Sequence, residues 1–301
     1  MSRRRRGIAG TYPGRSRLAF RRTIPAGGGS GVCFQRALSR RERAIVRIHD
    51  RSAVVLLPPL CLLALLQWPA VAWTACDDPP ARRVNWLHCD KQGADLTGAD
   101  LREAVLTQAN LTAAKLAGAR LSGADLGDAT LSRANFAGAA LVGTRLVSAK
   151  LDQAGLVGAS MAGARLDRAA LTQANLSNAD LSGARLYQAD LTGANLSGAN
   201  LSQAMLAQAD LTDAKLPNVN LSGATLSRAV LENAVLSGAN LHGVKLDGAN
   251  LLGVDFTGAD LGEATLADAR IDGARFTGAK LDSTIWVNRR RCPPGSVEEC
   301  R

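Results

Sequence analysis

From residue 94 to residue 283 the chain alternates apolar and polar positions with a period of five and never slips register. The central apolar positions run from Leu96 to Leu281, 38 in all, and 33 of them are Leu. The other five are Phe136, Met161, Phe256, Ile271 and Phe276. Two residues before each centre stands Ala in 34 of the 38 pentads, with Thr144, Val219, Val244 and Val254 as exceptions. A helix turns about 100° per residue, so a five-residue step would spread the Leu side chains around its whole circumference. Gly stands two after the centre in 18 of 38 pentads, and each interior Gly costs a helix about 1 kcal/mol against Ala. A flat strand fails as well, because an odd period throws successive Leu side chains to opposite faces. The pattern predicts a chain that turns a corner in every pentad, with each Leu and its Ala pointing to a common interior. Gly, Asn, Asp and Ser at the outer positions suit such tight turns. Self-similarity at a fixed period is the mark of a solenoid.

Pentads such as Ala94-Asp95-Leu96-Thr97-Gly98, Ala194-Asn195-Leu196-Ser197-Gly198 and Ala239-Asn240-Leu241-His242-Gly243 resemble the A(D/N)LXX motif of pentapeptide repeat proteins. The resemblance covers about two thirds of the chain and is uninterrupted. It implies an all-β fold, a right-handed quadrilateral β-helix with four pentads per coil. Nine to ten such coils, stacked at about 4.7–4.9 Å, make a rod roughly 45 Å long. The ends also resemble exported members of the family. Val84-Asn85-Trp86-Leu87-His88-Cys89 looks like the V-x-W-x-x-C segment that precedes the first coil. Trp286, Cys292, Gly295-Ser296 and Cys300 look like the W…C…GS…C segment that follows the last. Trp86 and Trp286 keep the five-residue phase of the Leu centres and read as plugs at the two ends of the Leu column.

The formal charge of +10 belongs to the N-terminal part of the chain. Residues 1–75 hold 14 Arg against Glu42 and Asp50, whereas residues 94–283 hold 15 basic and 19 acidic groups. The repeat region is therefore close to neutral, and the high pI is no argument for nucleic-acid binding. Residues 1–52 read as a basic, disordered leader. Residues 53–75 carry no charge and include Trp68-Pro69-Ala70-Val71-Ala72 near their end. Basic region, apolar run and A-x-A exit make a secretory signal peptide; the same run is long enough to stay as a transmembrane anchor. A lipoprotein site at Cys76 is disfavoured by Trp73 at the start of its box. The basic region is long for a signal peptide, and a start nearer residue 40 would shorten it. Cleaved or anchored, the protein is expected to be exported: periplasmic or extracellular, with membrane contact through 53–75 in the anchored case. The expected organisation continues with an N-terminal cap at 76–93, the β-helix at 94–283 and a C-terminal cap at 284–301.

Beyond the first 75 residues the Cys are Cys76, Cys89, Cys292 and Cys300, two at each end and none in the repeats. On the rod that the resemblance implies, a bridge between the ends would span about 45 Å, far beyond the roughly 7 Å that a disulfide allows between Cα atoms. That leaves Cys76 with Cys89 and Cys292 with Cys300, or four free buried thiols. His88 beside Cys89 does not give the ligand spacing of a zinc site.

Residues 20 apart are expected to stack in neighbouring coils. One such column reads Asp125, Arg145, Arg165, Arg185, Met205, Thr225, Lys245. Three Arg one coil apart repel unless carboxylates or an anionic partner lie on them. The strip is either a docking site for phosphate, acidic polysaccharide or lipid head groups, or a solvated face relieved by neighbours such as Asp167. Asp180, Asn200, Asn220, Asn240 and Asp260 form an Asn-rich ladder, Phe256 is expected to stack on Phe276, and Val142, Val147 and Val157 are candidates for a small contact patch. No catalytic constellation is present: His88 and His242 have no nucleophile and third partner, and no Gly-rich phosphate loop follows a strand. No cofactor or metal is expected. The expected role is a non-catalytic exported scaffold that presents flat faces to a protein or envelope partner. The resemblance also implies a rival, the mimicry of DNA by acidic family members that protect a topoisomerase. Near-neutral repeats and an export leader argue against it, so no nucleic-acid partner is expected.

Overall fold

The computed structural model describes residues 76–300. The leader at 1–52 and the hydrophobic segment at 53–75 lie outside the described residues. The chain winds into a right-handed β-helix of square section. Parallel bridges join residues twenty apart, from Asn85↔Val105 to Thr265↔Ile285, so four pentads close each coil. Coil pairing therefore starts at Asn85, inside the segment read as a cap. Every centre from Leu101 to Leu266 is buried, and from Leu106 onward the Ala, Val or Thr two before each is buried with it. One apolar column fills the rod from end to end.

The pentad that begins at Leu201 shows why this motif makes this fold. Four of its five N–H groups bond to carbonyls: Leu201 N–H to Asn220 O at 2.7 Å, Gln203 N–H to Ser222 O at 2.9 Å, Ala204 N–H to Leu201 O at 3.1 Å and Met205 N–H to Ala184 O at 2.9 Å. The fifth, on Ser202, donates to Oδ1 of Asn200 at 3.2 Å. The Asp or Asn of the motif thus accepts the one N–H that the ladder of coils leaves over, a side-chain mimic of a turn. Oδ1 of Asp180, Asn220 and Asp260 does the same for Ser182, Asn220's neighbour Ser222, and Gly262.

The residue two after each centre is left-handed throughout, with φ near +60°, as a type II turn requires. Gly198 fills this place at φ 67° and Gln208 at φ 59°. A side chain there costs roughly 1 kcal/mol in backbone strain, while Gly costs a similar amount in unfolded-state entropy. The near balance explains why Gly occupies only some of the pentads.

Inside, three departures from the repeat are accommodated by contact. Phe256 and Phe276 stack with centroids 5.1 Å apart. Buried Thr144 donates its hydroxyl to Leu121 O at 2.9 Å, and buried Thr284 donates to Leu261 O at 2.7 Å. Thr144→Ala restores the repeat pattern yet is expected to lower stability by about 1 kcal/mol, from the lost hydrogen bond and the small void. A higher melting temperature for this variant would overturn that account.

The ends are closed differently. At the N-terminus Trp86 is 1% exposed, its indole N–H reaches Asp78 O at 3.2 Å, and Cys76 is bonded to Cys89 with Cα atoms 5.4 Å apart. At the C-terminus the chain doubles back, with Val297 and Arg291 antiparallel to Lys280 and Ile285. This covers part of the terminal edge that an open solenoid exposes. Cys292 is bonded to Cys300 there, Cα to Cα 4.9 Å. Trp286 is half-buried and reaches across the rod to Phe276 on the opposite side, 5.2 Å between centroids.

Candidate functional site

Coil stacking takes up all but one backbone N–H of each pentad, so one face differs from another in its outward side chains and in whether that last N–H is capped. The face over Leu146, Leu166 and Leu186 departs most from the motif, because Arg replaces Asp or Asn ahead of all three centres. Arg145, Arg165 and Arg185 are bridged in succession, so the structure brings the predicted column together.

The three arginines are not equivalent. Arg145 lies back over Gly127, where any side chain would collide with it, and its Nη1 meets Asp125 Oδ1 at 2.8 Å. Arg185 Nε stands 3.5 Å from Asp167 Oδ2. Arg165 has no carboxylate within ion-pair distance among the described residues. Asp167, expected to relieve both Arg165 and Arg185, is paired only with the second. Its own residue is 8% exposed, and its Oδ1 is buried without a hydrogen-bond partner. Half-exposed Tyr187 stands one coil above Asp167, its hydroxyl donating to Gln208 Oε1 at 3.1 Å. With Val147 and Arg168 these residues line a shallow groove of about 350 Å³.

Arg ahead of the centre has a second effect. It supplies no Oδ1 acceptor, so the N–H groups of Val147, Asp167 and Tyr187 lack the cap that Ser202 receives from Asn200. The groove therefore combines a free guanidinium, uncapped backbone donors and one buried acceptor. Sequence reasoning found the arginines through their spacing. It missed Asp167 as an orphan acceptor and Tyr187 as a wall, although both stand two residues after an Arg of the column.

Other expected features divide. Asn200 Nδ2 donates to Asp180 Oδ1 at 3.0 Å and Asn220 Nδ2 to Asn200 Oδ1 at 3.1 Å, so the ladder is bonded over these three residues. Val142, Val147 and Val157 do not form a patch: they fall in three different columns, and Val147 is buried because the groove closes over it. A second hollow, about 480 Å³, is lined by Asn240, His242, Asp260 and Lys280, with His242 Nε2 3.7 Å from Glu263 Oε2. Elsewhere on the surface a few carboxylates are held ionised by close donors. The Arg102 side chain bonded to Asp100 lowers that carboxyl to about 2. Arg82 and Arg83 lower Glu103, and Arg289 lowers Asp268. Among the described residues no group of three or more His, Cys, Asp or Glu could hold a metal, and no helix is long and apolar enough to cross a membrane.

Comparison with known proteins bears on the architecture. Pentapeptide-repeat sequence families match residues 92–128, 129–168, 149–188, 184–223 and 218–253 in one form, and 236–280 in another. HetL, a pentapeptide repeat protein involved in heterocyst differentiation regulation in the cyanobacterium Nostoc sp. strain PCC 7120, is 34% identical over 69% of this chain and 92% of its own, with a TM-score of 0.63. QnrB1, a plasmid-mediated fluoroquinolone resistance protein, is 20% identical over 62% of this chain and 91% of its own, with a TM-score of 0.29. A pentapeptide repeat protein from the thylakoid lumen of Arabidopsis thaliana is 31% identical over 31% of this chain and 68% of its own, with a TM-score of 0.18. No curated protein matches the chain in sequence. The unbroken pentads, the twenty-residue coil, the match to the pentapeptide-repeat sequence families and the likeness to HetL establish that the chain belongs to the pentapeptide repeat family.

Proposed function

We propose that this protein is a non-catalytic, exported scaffold that holds a protein or envelope partner against the faces of its β-helix. The observation that carries the reading is the pair of cystine bridges, Cys76 with Cys89 and Cys292 with Cys300, one at each end of a rod whose repeats contain no Cys. Such bridges persist in oxidising compartments and are reduced in the cytosol. The charge-free run at 53–75 behind an Arg-rich leader agrees with export. Binding rather than catalysis is supported by the form of the surface. Among the described residues the two hollows over Arg165 and His242 are shallow and open, and such hollows neither exclude water nor desolvate a reacting group.

Fractionation followed by affinity capture tests this. The protein is expected in the envelope or periplasmic fraction, with Cys76, Cys89, Cys292 and Cys300 unreactive to alkylation until reduced. Tagged protein should retain a partner from the envelope fraction through washing. Recovery in the cytoplasm with free thiols would overturn export and reopen the mimicry of DNA.

A further inference from the structure

We propose that the groove over Arg145, Arg165, Asp167, Arg185 and Tyr187 binds a polysaccharide of uronic acids, laid along the rod with carboxylates on the arginine column. The proposal rests on the scaffold reading and names the chemistry of one partner.

Charge gives the first requirement. Arg145, Arg165, Arg168 and Arg185 face only Asp125 and Asp167, which leaves the groove basic. Arg165 has no carboxylate of its own, and Arg185 uses only Nε on Asp167, so guanidinium forks remain for carboxylates from outside. The second requirement is a donor. Asp167 Oδ1 is buried without one, and a buried acceptor left unsatisfied is costly. A ligand with anionic groups alone, such as a phosphate chain, offers no donor and is repelled by Asp167. A sugar acid carries both: its hydroxyls donate to Asp167 and accept from the uncapped N–H groups of Val147 and Tyr187. The Tyr187 ring, steadied through its hydroxyl by Gln208, gives an apolar wall for the ring C–H face of a sugar.

Backbone pairing separates this ligand from an acidic peptide. Arg145, Arg165 and Arg185 repeat once per coil, about 4.7–4.9 Å, and their coils are already paired above and below. The face therefore offers a peptide no edge to extend, and a peptide would dock by its side chains alone. A chain of sugar acids needs no such edge and reaches the column with the carboxylates that its twist turns toward it.

The test is calorimetric titration of the purified full chain with galacturonate hexamers, against neutral malto-oligomers of equal length and a short polyglutamate peptide. Binding is expected for the galacturonate alone, weakening as salt is added. Arg165→Gln should lower affinity on the order of tenfold, as expected for losing hydrogen bonds to a charged group. Tyr187→Ala should also weaken binding. Asp167→Asn separates recognition from simple charge. If Oδ1 takes a sugar hydroxyl, neutralising Asp167 leaves galacturonate binding equal or weaker. If Asp167 only offsets the arginines, the variant binds galacturonate and polyglutamate more tightly, and the proposal fails. Equal binding of polyglutamate by the natural protein, or no galacturonate binding at all, also overturns it. An envelope partner retained by Arg165→Gln in that last case leaves the scaffold reading standing while the groove is lost.

Discussion

Leu196→Asp is expected to destabilise the rod by at least about 3 kcal/mol, whereas Thr192→Asp costs less than about 1 kcal/mol. The two positions are four residues apart and receive the same side chain. Leu196 is wholly buried in the apolar column, so an aspartate there loses the leucine packing and places an unpaired carboxylate among neighbours that cannot solvate it. Thr192 is only half-buried at a corner, next to Asp190, and an added carboxylate there meets water and one like charge. Position along the rod adds a second consequence. Each coil touches only its neighbours, so a defect at mid-rod cuts the cooperative unit in two. Leu196→Asp should therefore broaden the urea transition or split it, besides lowering its midpoint. Equal midpoints for the two variants would refute the register of the whole helix, since every inward and outward assignment depends on the same phase.

That register was legible in the sequence because it is dictated by few and strong terms. A five-residue period with Leu at its centre admits one inside, and the coil of twenty is what the resemblance to pentapeptide repeat proteins implies. The stacking of Phe256 on Phe276 and of Arg145 on Arg165 and Arg185 could be read from the same count. What could not be read is how long side chains settle once stacked. Arg145 turns back to Asp125 because Gly127 leaves the space, and Asp167 reaches Arg185 rather than Arg165. These choices lie among rotamers that differ little in energy on a solvated surface, so spacing alone does not select them. Val147 was misjudged for a related reason. Its place after a centre exposes most residues, but here the surrounding arginines and Asp167 enclose it. Thr144 lay between the two cases: its break from Ala was plain, while its partner, the Leu121 carbonyl, required the coil below.

Trp86→Ala should cost about 3–5 kcal/mol, the range for deleting a fully buried aromatic side chain, and the loss should be felt at one end. Trp86 opens the column that continues through Leu106 and Leu126, with Lys91 Nζ 4.4 Å above the ring and the Cys76–Cys89 bridge holding the chain that covers it. Removing the indole leaves a void at an end where Ala94 and Ala99 are already partly exposed. Coils near it then lose their floor, while coils beside Phe256 keep both neighbours. Hydrogen exchange should show this directly. The amides of Val105 and Asn110, which bond to Val84 O and Cys89 O at 2.9 Å each, are expected to lose protection in the variant. The amide of Thr265, bonded to Val244 O at 2.9 Å, should keep its protection under conditions where the rod is otherwise folded. Trp286→Ala makes the matching comparison, and a smaller loss is expected because Trp286 is only half-buried against Phe276. A uniform loss of protection from end to end in Trp86→Ala would mean that the rod unfolds as one unit and that the N-terminal cap governs all of it. Unchanged protection at Val105 would instead remove Trp86 from any role in closing the helix.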